Sequence, residues 1–153
     1  TTDPETIDKV AKLGLDPIHD DPGTDDVKPL LENRTAPVKT LLMNQELFAG
    51  MGNIYASEAC HGSGIDPTRS VTTLSDQELG SLLGAMKEVL EKAIGLGGSS
   101  IIDFTSVDGE NGSYQDHFFV YGREGEDCRS CGSTIQKTEL AGRSTYWCPD
   151  CQK

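Results

Sequence analysis

Two pairs of cysteines near the end of the chain constrain its fold more than any other feature. They are Cys128 and Cys131, then Cys148 and Cys151, with sixteen residues between the pairs. Each C-x2-C pair places two thiolates on one tetrahedral ion, so the spacing predicts a structural zinc site without an open position for water. A rubredoxin-like iron site and, in a secreted protein, two disulfides are the alternatives. Cys60 lies outside the pattern and is expected to be a buried, inert thiol.

Two alternating segments between the cysteine pairs predict a β-ribbon around this metal. Residues 134–139 and 143–147 flank Ala141 and Gly142, which suit a hairpin turn. A ribbon this small needs its metal, because zinc supplies on the order of 10 kcal/mol or more at neutral pH. Arg143 at the turn suits phosphate capture, although an exposed arginine without a partner fits the sequence equally well.

A second local pattern predicts a tight turn between two helices. Apolar residues from Val38 to Phe48 fit one face of a first helix. Asn53 is a suitable N-cap for a second helix, which Gly62 or Gly64 ends. The two helices therefore meet across the short sequence that precedes Asn53.

The glycines of this junction, Gly50 and Gly52, permit positive φ and the close approach of another backbone. The first amides of the second helix have no helical partner and carry the positive end of the helix dipole, which makes a natural phosphate seat. The pattern therefore suits a clamp on a DNA backbone. An ordinary corner between two helices, whose glycines only allow close packing, is the alternative.

The remaining patterns predict packing elements and loops. Ser75 and Glu78 form a capping box for a long helix whose apolar residues recur at helical spacing from Leu79 to Ile94. Residues 105–116 form a polar, glycine-rich loop of functional length, and residues 117–121 form a strand-like run. We therefore expect a mainly α fold with a small β zinc ribbon.

The net charge of −12 is unusual for a protein that binds phosphates, but it is unevenly distributed. Residues 117–153 hold five basic and five acidic side chains, whereas residues 1–116 hold eight basic and twenty acidic ones. We expect the acidic side chains to lie on faces turned away from the ligand. No membrane span or signal peptide is visible, so the sequence predicts a soluble, cytoplasmic monomer.

The segment from Leu47 to Glu58, LFAGMGNIYASE, closely resembles the helix–two-turns–helix signature of formamidopyrimidine-DNA glycosylases and endonuclease-eight-like enzymes. The resemblance continues through a DGxxG-type loop, VYGREGEDCRSCG and RSTYWCPDCQK, and covers roughly residues 10–153. It implies the C-terminal half of a bifunctional DNA glycosylase and abasic-site lyase that excises oxidised purines in base excision repair. The implied partner is damaged double-stranded DNA.

The resemblance also implies roles for individual residues. Asn53 and Arg143 would bind the phosphates that flank the lesion, and Lys39 would face the DNA backbone. Arg143 would take part in δ-elimination after β-elimination at the abasic site. Gly52 and Tyr121 complete the implied DNA-binding set. Residues of the long loop would close over an extruded purine such as 8-oxoguanine; these are Ser106, Gly109, Gly112 and Tyr114.

The chain departs from the family pattern in three respects. The family's nucleophile is an amino-terminal proline, whereas Pro4 is internal and its nitrogen is an amide. The catalytic β-sandwich domain of the family is missing, and Thr35 stands where the family usually has a basic residue. We therefore expect a DNA-binding piece that does not react alone. A standalone nucleic-acid-binding module and a protein-interaction zinc module are the alternatives.

This interpretation divides the chain into three parts. Residues 1–37 are expected to form a linker and an N-terminal helix region. Residues 38–116 are expected to form the DNA-binding domain with its lesion-capping loop, and residues 117–153 the zinc ribbon.

Overall fold

A computed structural model describes residues 14–96 and 114–153, and in them the chain is mainly helical with one small antiparallel sheet. The helices are α1 (Thr24–Leu31), α2 (Val38–Leu42), α3 (Asn53–Ser63) and α4 (Asp76–Gly95), with 3₁₀ turns at Val71–Thr73 and Tyr114–His117. The strands are β1 (Gln136–Leu140) and β2 (Arg143–Trp147). The expected fold class is confirmed. None of the helices in the described ranges is both long and apolar enough to span a bilayer.

Helices α3 and α4 pack against each other and form the centre of the helical part. Small residues of α3 allow this approach, because Ala56, Ala59 and Cys60 are all 0% exposed. The facing residues of α4 include Leu82 and Met86. Burial raises the pKa of Cys60 to about 12, so its thiol stays protonated and acts as a small apolar group.

The start of α4 is capped as its sequence predicts. The Ser75 hydroxyl accepts a hydrogen bond from the Glu78 amide at 3.1 Å, and the Glu78 carboxylate accepts one from the Ser75 amide at 3.0 Å. Arg69 donates to the same carboxylate from the segment before α4. This bonding lowers the pKa of Glu78 to about 2 and fixes the connection between α3 and α4.

The first helix of the junction is shorter than its apolar pattern suggested, because α2 ends at Leu42. Asn44 starts a turn that changes the direction of the chain. Its side-chain oxygen accepts a hydrogen bond from the Glu46 amide at 2.9 Å. Gly14 packs tightly against these turns, since a Cβ atom at position 14 would lie 2.2 Å from the Leu47 carbonyl carbon. Two turns therefore replace the second half of the predicted helix.

The strand-like run at residues 117–121 is not a strand. A 3₁₀ turn ends at His117, and the following residues form bends and a turn that pair with no strand in the part of the chain that the structure describes. Phe118 and Val120 do alternate inward, with 3% and 0% exposure. Their backbone is satisfied by a side chain, because Glu58 takes the amide hydrogens that a sheet would otherwise bind.

The ribbon follows its prediction closely, although β1 begins two residues later than expected. Leu140 pairs with Arg143 across a two-residue turn. Both turn residues are left-handed, with φ of 51° at Ala141 and 77° at Gly142. This is the type I′ geometry that matches the twist of two paired strands.

Candidate nucleic-acid interface

The junction before α3 leaves open space where a second molecule could approach. Gly50 has φ of 89° and needs to be glycine for that reason. Gly52 is extended instead, with φ of −98°, and a Cβ on it would meet nothing within 4 Å. The presence of glycine at position 52 is therefore explained neither by its backbone conformation nor by close packing of the two helices. The first amides of α3 lie directly behind this gap.

Asn53 does not cap α3, contrary to the sequence interpretation. Gly52 occupies the capping position, and no side chain caps the helix. The Asn53 side chain instead accepts a hydrogen bond from Lys39 and donates one to the Ser144 carbonyl at 3.0 Å. These hydrogen bonds join the start of the helix to the ribbon, and Asn53 is only 9% exposed.

Lys39 lies inside the protein, with 1% exposure. Besides Asn53, its ammonium donates to the Thr145 hydroxyl at 2.7 Å and to the Ser144 carbonyl at 3.3 Å. Burial, with the like charge of Arg143 nearby, lowers the pKa of Lys39 to about 8. The direct phosphate contact expected for Lys39 stays a prediction.

Arg143 is exposed at the first position of β2, directly after the ribbon turn. Two hydroxyl residues, Ser144 and Thr145, follow it in sequence, and a guanidinium with hydroxyls on a hairpin tip would suit phosphate capture. The structure directs Thr145 inward instead, where it is 0% exposed and accepts from Lys39. Arg143 is therefore exposed, whereas the Thr145 hydroxyl is used inside the protein.

Glu58 was missed by sequence reasoning, which treated it only as the end of a signature. Its carboxylate accepts hydrogen bonds from the amides of Phe119, Val120 and Tyr121 at 2.7 to 2.9 Å. Burial raises the pKa of Glu58, while the three amides oppose that shift. An acid among the apolar residues of α3 is the signal that could have identified it, because a buried carboxylate needs such donors.

Tyr121 lies in the segment that Glu58 holds. It packs edge-to-face on Phe118 and Tyr146, with ring centroids 5.7 and 5.0 Å apart. These contacts place the ring between the helical part and the ribbon, and its expected contact with DNA stays a prediction.

The four cysteines come together as their spacing predicted. Their sulfur atoms all lie within 4.8 Å of one another, with 3.8 Å between Cys128 and Cys151 and 3.4 Å between Cys131 and Cys148. Tetrahedral zinc with Zn–S bonds of about 2.3 Å places its sulfurs about 3.8 Å apart. The donor set therefore fits one structural zinc ion. His61 approaches Cys128 at 3.8 Å and stacks on Phe119, so it is a neighbour of this site.

The last residues of the chain attach the metal site to the helical part. The Gln152 side chain accepts from the Cys148 amide at 2.8 Å and donates to the Ile65 carbonyl at 2.9 Å. The Lys153 amide donates to the Gly64 carbonyl at 3.0 Å. Since Gly64 and Ile65 follow α3 directly, the ribbon is fixed to both ends of that helix.

The proposed lesion-capping residues fall largely outside the described ranges. This applies to Ser106, Gly109 and Gly112, as it does to Pro4. Tyr114 begins the second 3₁₀ turn, and its side chain is not described. The roles of these residues stay predictions.

Two family models match the chain, and they divide between its two parts. The first is described as "Formamidopyrimidine-DNA glycosylase H2TH domain" and matches residues 13–105. The second is described as "Zinc finger found in FPG and IleRS" and matches residues 125–153. The matched ranges contain the junction before α3 and the four-cysteine site respectively.

Similar proteins and structures extend the match along nearly the whole chain. Formamidopyrimidine-DNA glycosylases of Rippkaea orientalis and Gluconobacter oxydans are 47% and 42% identical over 99% and 100% of the chain. The MutM (Fpg) structure from Thermus thermophilus has a TM-score of 0.86 at 38% identity over 95% of the chain. A Lactococcus lactis Fpg complex with DNA containing an abasic site has a TM-score of 0.86 at 35% identity over 96%. The chain spans 54% to 56% of the length of these relatives.

Proposed function

Because the chain belongs to the formamidopyrimidine-DNA glycosylase family, we propose that it binds the backbone of damaged double-stranded DNA as one half of a bifunctional glycosylase and abasic-site lyase. The whole enzyme would excise oxidised purines such as 8-oxoguanine and then cleave the strand at the abasic site. The similar L. lactis protein was solved in complex with DNA that contains an abasic site. Such a role would place the protein, as a monomer, at chromosomal DNA.

The open space beside Gly52 carries this proposal. A hydrogen bond from the Asn53 side-chain amide to the Ser144 carbonyl joins the start of α3, with its first amides, to the strand on which Arg143 directly precedes Ser144. Helix N-termini attract anions, and arginine binds phosphate oxygens in a bidentate manner. Two neighbouring phosphates of one strand suit this arrangement.

The 153 residues are proposed to bind without cleaving. An amide nitrogen cannot form the Schiff base that the family's amino-terminal proline forms, and Pro4 has only an amide nitrogen. The β-sandwich domain of the family would supply the nucleophile, and Arg143 would assist δ-elimination only beside it. Residues 105–114 would cap the extruded base, and the division at residues 37 and 116 is retained in this proposal.

Fluorescence anisotropy with a duplex that carries a stable abasic-site analogue, beside the undamaged duplex, tests the proposal. We expect the logarithm of the binding constant to fall linearly with the logarithm of salt concentration while zinc is retained. Arg143→Ala should weaken binding and reduce the salt slope by about one unit. Arg129→Ala is the matched control, because Arg129 is an exposed ribbon arginine that donates to the Asp116 carbonyl. Equal slopes for wild type and Arg143→Ala would refute the role of Arg143.

The net charge of −12 favours a second candidate function, in which the same surfaces bind a protein. The acidic excess would repel DNA and attract a basic partner. Absence of binding to either duplex at low salt would favour this candidate. Binding that prefers the abasic duplex would exclude it as the main function.

A further inference from the structure

Four residues form a closed polar junction between the helical part and the ribbon. This polar junction consists of Lys39 on α2, Asn53 at the start of α3, and Ser144 and Thr145 on β2. Lys39 is 14 residues from Asn53 and 106 residues from Thr145 in sequence. The side chains of Lys39, Asn53 and Thr145 belong to residues that are at most 9% exposed, so water does not compete for these bonds.

The ammonium of Lys39 has no hydrogen left for a phosphate. An ammonium group has three N–H donors. The acceptors around Lys39 are the Asn53 side-chain oxygen, the Thr145 hydroxyl and the Ser144 carbonyl. A direct contact with DNA would therefore require Lys39 to break a bond within the polar junction.

Asn53 has the opposite property, because one of its donors is available. Its oxygen faces the Lys39 ammonium, which determines the orientation of the amide. One N–H then donates to the Ser144 carbonyl. The second N–H has no partner among the residues that the structure describes, and it belongs to the residue beside the open space at Gly52.

We propose that Lys39 is a positioning residue that orients the Asn53 amide and fixes the ribbon turn to the start of α3, so that Asn53 and Arg143 reach neighbouring phosphates as one unit. This inference rests on the proposed function, which assigns the phosphate contacts to Asn53 and Arg143. Lys39 acts through them and does not touch DNA.

The chemistry of a buried lysine supports a hydrogen-bonding role. Burial disfavours the ammonium of Lys39, and the nearby Arg143 opposes it further. A side chain that only filled space would be apolar at this position. An apolar residue would leave the Asn53 oxygen and the Thr145 hydroxyl without the donor that they share.

The first test uses the free chain with zinc saturated and compares Lys39→Met with Lys137→Met. Lys137 is an exposed ribbon lysine over the Tyr146 ring, so the control removes the same charge. We expect amide hydrogen exchange at residues 141–145 to accelerate by about tenfold in Lys39→Met, as loss of a buried hydrogen bond predicts. Lys137→Met should exchange like wild type. Equal exchange in all three proteins would overturn the proposal.

The second test measures binding to the abasic duplex across a salt series. We expect Lys39→Met to bind about 10- to 100-fold more weakly with an unchanged salt slope, because no phosphate contact is removed. A slope reduced by about one unit would show a direct contact and overturn the proposal.

In wild type, the affinity losses of Asn53→Ala and Arg143→Ala should not multiply, because either change breaks a shared unit. In the Lys39→Met background they should multiply, and a merely structural lysine would not produce this change.

Thr145→Val provides a second variant that keeps the buried charge and removes one acceptor of Lys39. Its control is Thr138→Val on the opposite position of β1. If Lys39→Met does not fold, Thr145→Val should show the same faster exchange and weaker binding, and a wild-type result would overturn the proposal.

If wild type fails to bind either duplex, the proposed function fails. Faster exchange in Lys39→Met would then show a structural bridge without a role in DNA contact, which also overturns the positioning role.

Discussion

The two regions that carry the proposed phosphate contacts are stabilised in different ways. Asn53 begins a helix that belongs to an apolar core, in which Met86 is 0% exposed. Arg143 stands on a ribbon whose buried apolar cluster consists of Val120, Ile135 and two of the metal ligands. A core spreads stabilisation over many contacts, whereas a structural metal concentrates it in one ion. The position of Asn53 therefore depends on the apolar core, and the position of Arg143 depends on the metal ion.

The difference shows why the connections between the regions matter. Glu58 holds the segment before the ribbon, and Gln152 holds the segment after it. Lys39 holds the ribbon turn itself. All three connections end on residues of α3 or on residues that adjoin it. The helix therefore serves as the common support, and damage to the ribbon should leave it intact.

Loss of the metal should give the largest effect and separate the two regions. Cys148→Ser should abolish stoichiometric zinc binding and unfold the ribbon, because zinc supplies on the order of 10 kcal/mol of its folding free energy. The single tryptophan, Trp147, lies on β2 and reports on the ribbon by fluorescence. Far-ultraviolet circular dichroism reports on the helices, which should persist.

Cys60→Ala is the matched control for this experiment. Cys60 lies in the helical core, apart from the four clustered sulfurs, so this variant should keep one zinc ion per chain. Simultaneous loss of the helical signal and the tryptophan signal in Cys148→Ser would contradict the separation of the two regions.

Weakening the apolar core should produce the reverse pattern. Met86→Ala removes a fully buried side chain of α4 and should lower the free energy of unfolding of the helical part by about 2–5 kcal/mol. Ile94→Ala, on the same helix but 71% exposed, should change it by less than about 0.5 kcal/mol. Urea unfolding followed by circular dichroism measures both, and zinc content should remain at one ion per chain. Loss of zinc from native Met86→Ala would show that the ribbon depends on the core.

Local signals account for what the sequence could predict. The two C-x2-C pairs, the capping box of Ser75 and Glu78, and the turn at Ala141 and Gly142 each depend on residues within a few positions of one another. Capping, turn geometry and paired C-x2-C spacing follow from local chemistry. These features could therefore be placed before any tertiary contact was known.

Two of the errors arose where distant residues supply the hydrogen-bond partners. Asn53 was expected to cap its own helix, but it bonds to Lys39 and to a carbonyl 91 residues away. Residues 117–121 have the alternation of a strand, yet their amides bond to Glu58, more than 60 residues earlier. Sequence patterns report which side chains are buried and not which partners satisfy the backbone. The depth of Lys39 was hidden for the same reason.

Lys39 connects the two regions, and pH should reveal how its charge is held. The unfolded chain keeps Lys39 protonated up to a pKa of 10.5, whereas the folded chain releases the proton near pH 8. Between these values the unfolded state binds more protons, so the free energy of unfolding should rise with pH, by at most about 1.4 kcal/mol per pH unit. Below about pH 8 this contribution should be constant. The free energy of unfolding is measured in urea with zinc saturated, and the contribution of Lys39 is the difference between wild type and Lys39→Met.

The groups around Lys39 do not reverse this expectation. Burial raises the pKa of Cys60 from 9.0 to about 12, so above pH 9 this thiol lowers the free energy of unfolding as pH rises. Wild type and Lys39→Met share this contribution, which therefore cancels in their difference. Lys137→Met serves as the control and should follow wild type. A difference that falls as pH rises would mean that the hydrogen bonds of the polar junction favour the ammonium more than burial opposes it.

The ribbon turn offers the smallest and most selective change. Ala141 has φ of 51°, a left-handed conformation that asparagine tolerates better than alanine, so Ala141→Asn should stabilise the turn by up to about 1 kcal/mol. Gly142→Ala, at φ of 77°, should destabilise it by a similar amount. Because ribbon folding is linked to zinc binding, these changes should appear as about fivefold tighter and weaker zinc affinity in competition with a chromophoric chelator. The urea midpoint of the helical part should not move. A midpoint that shifts with the zinc affinity would show that the two regions unfold as one cooperative unit.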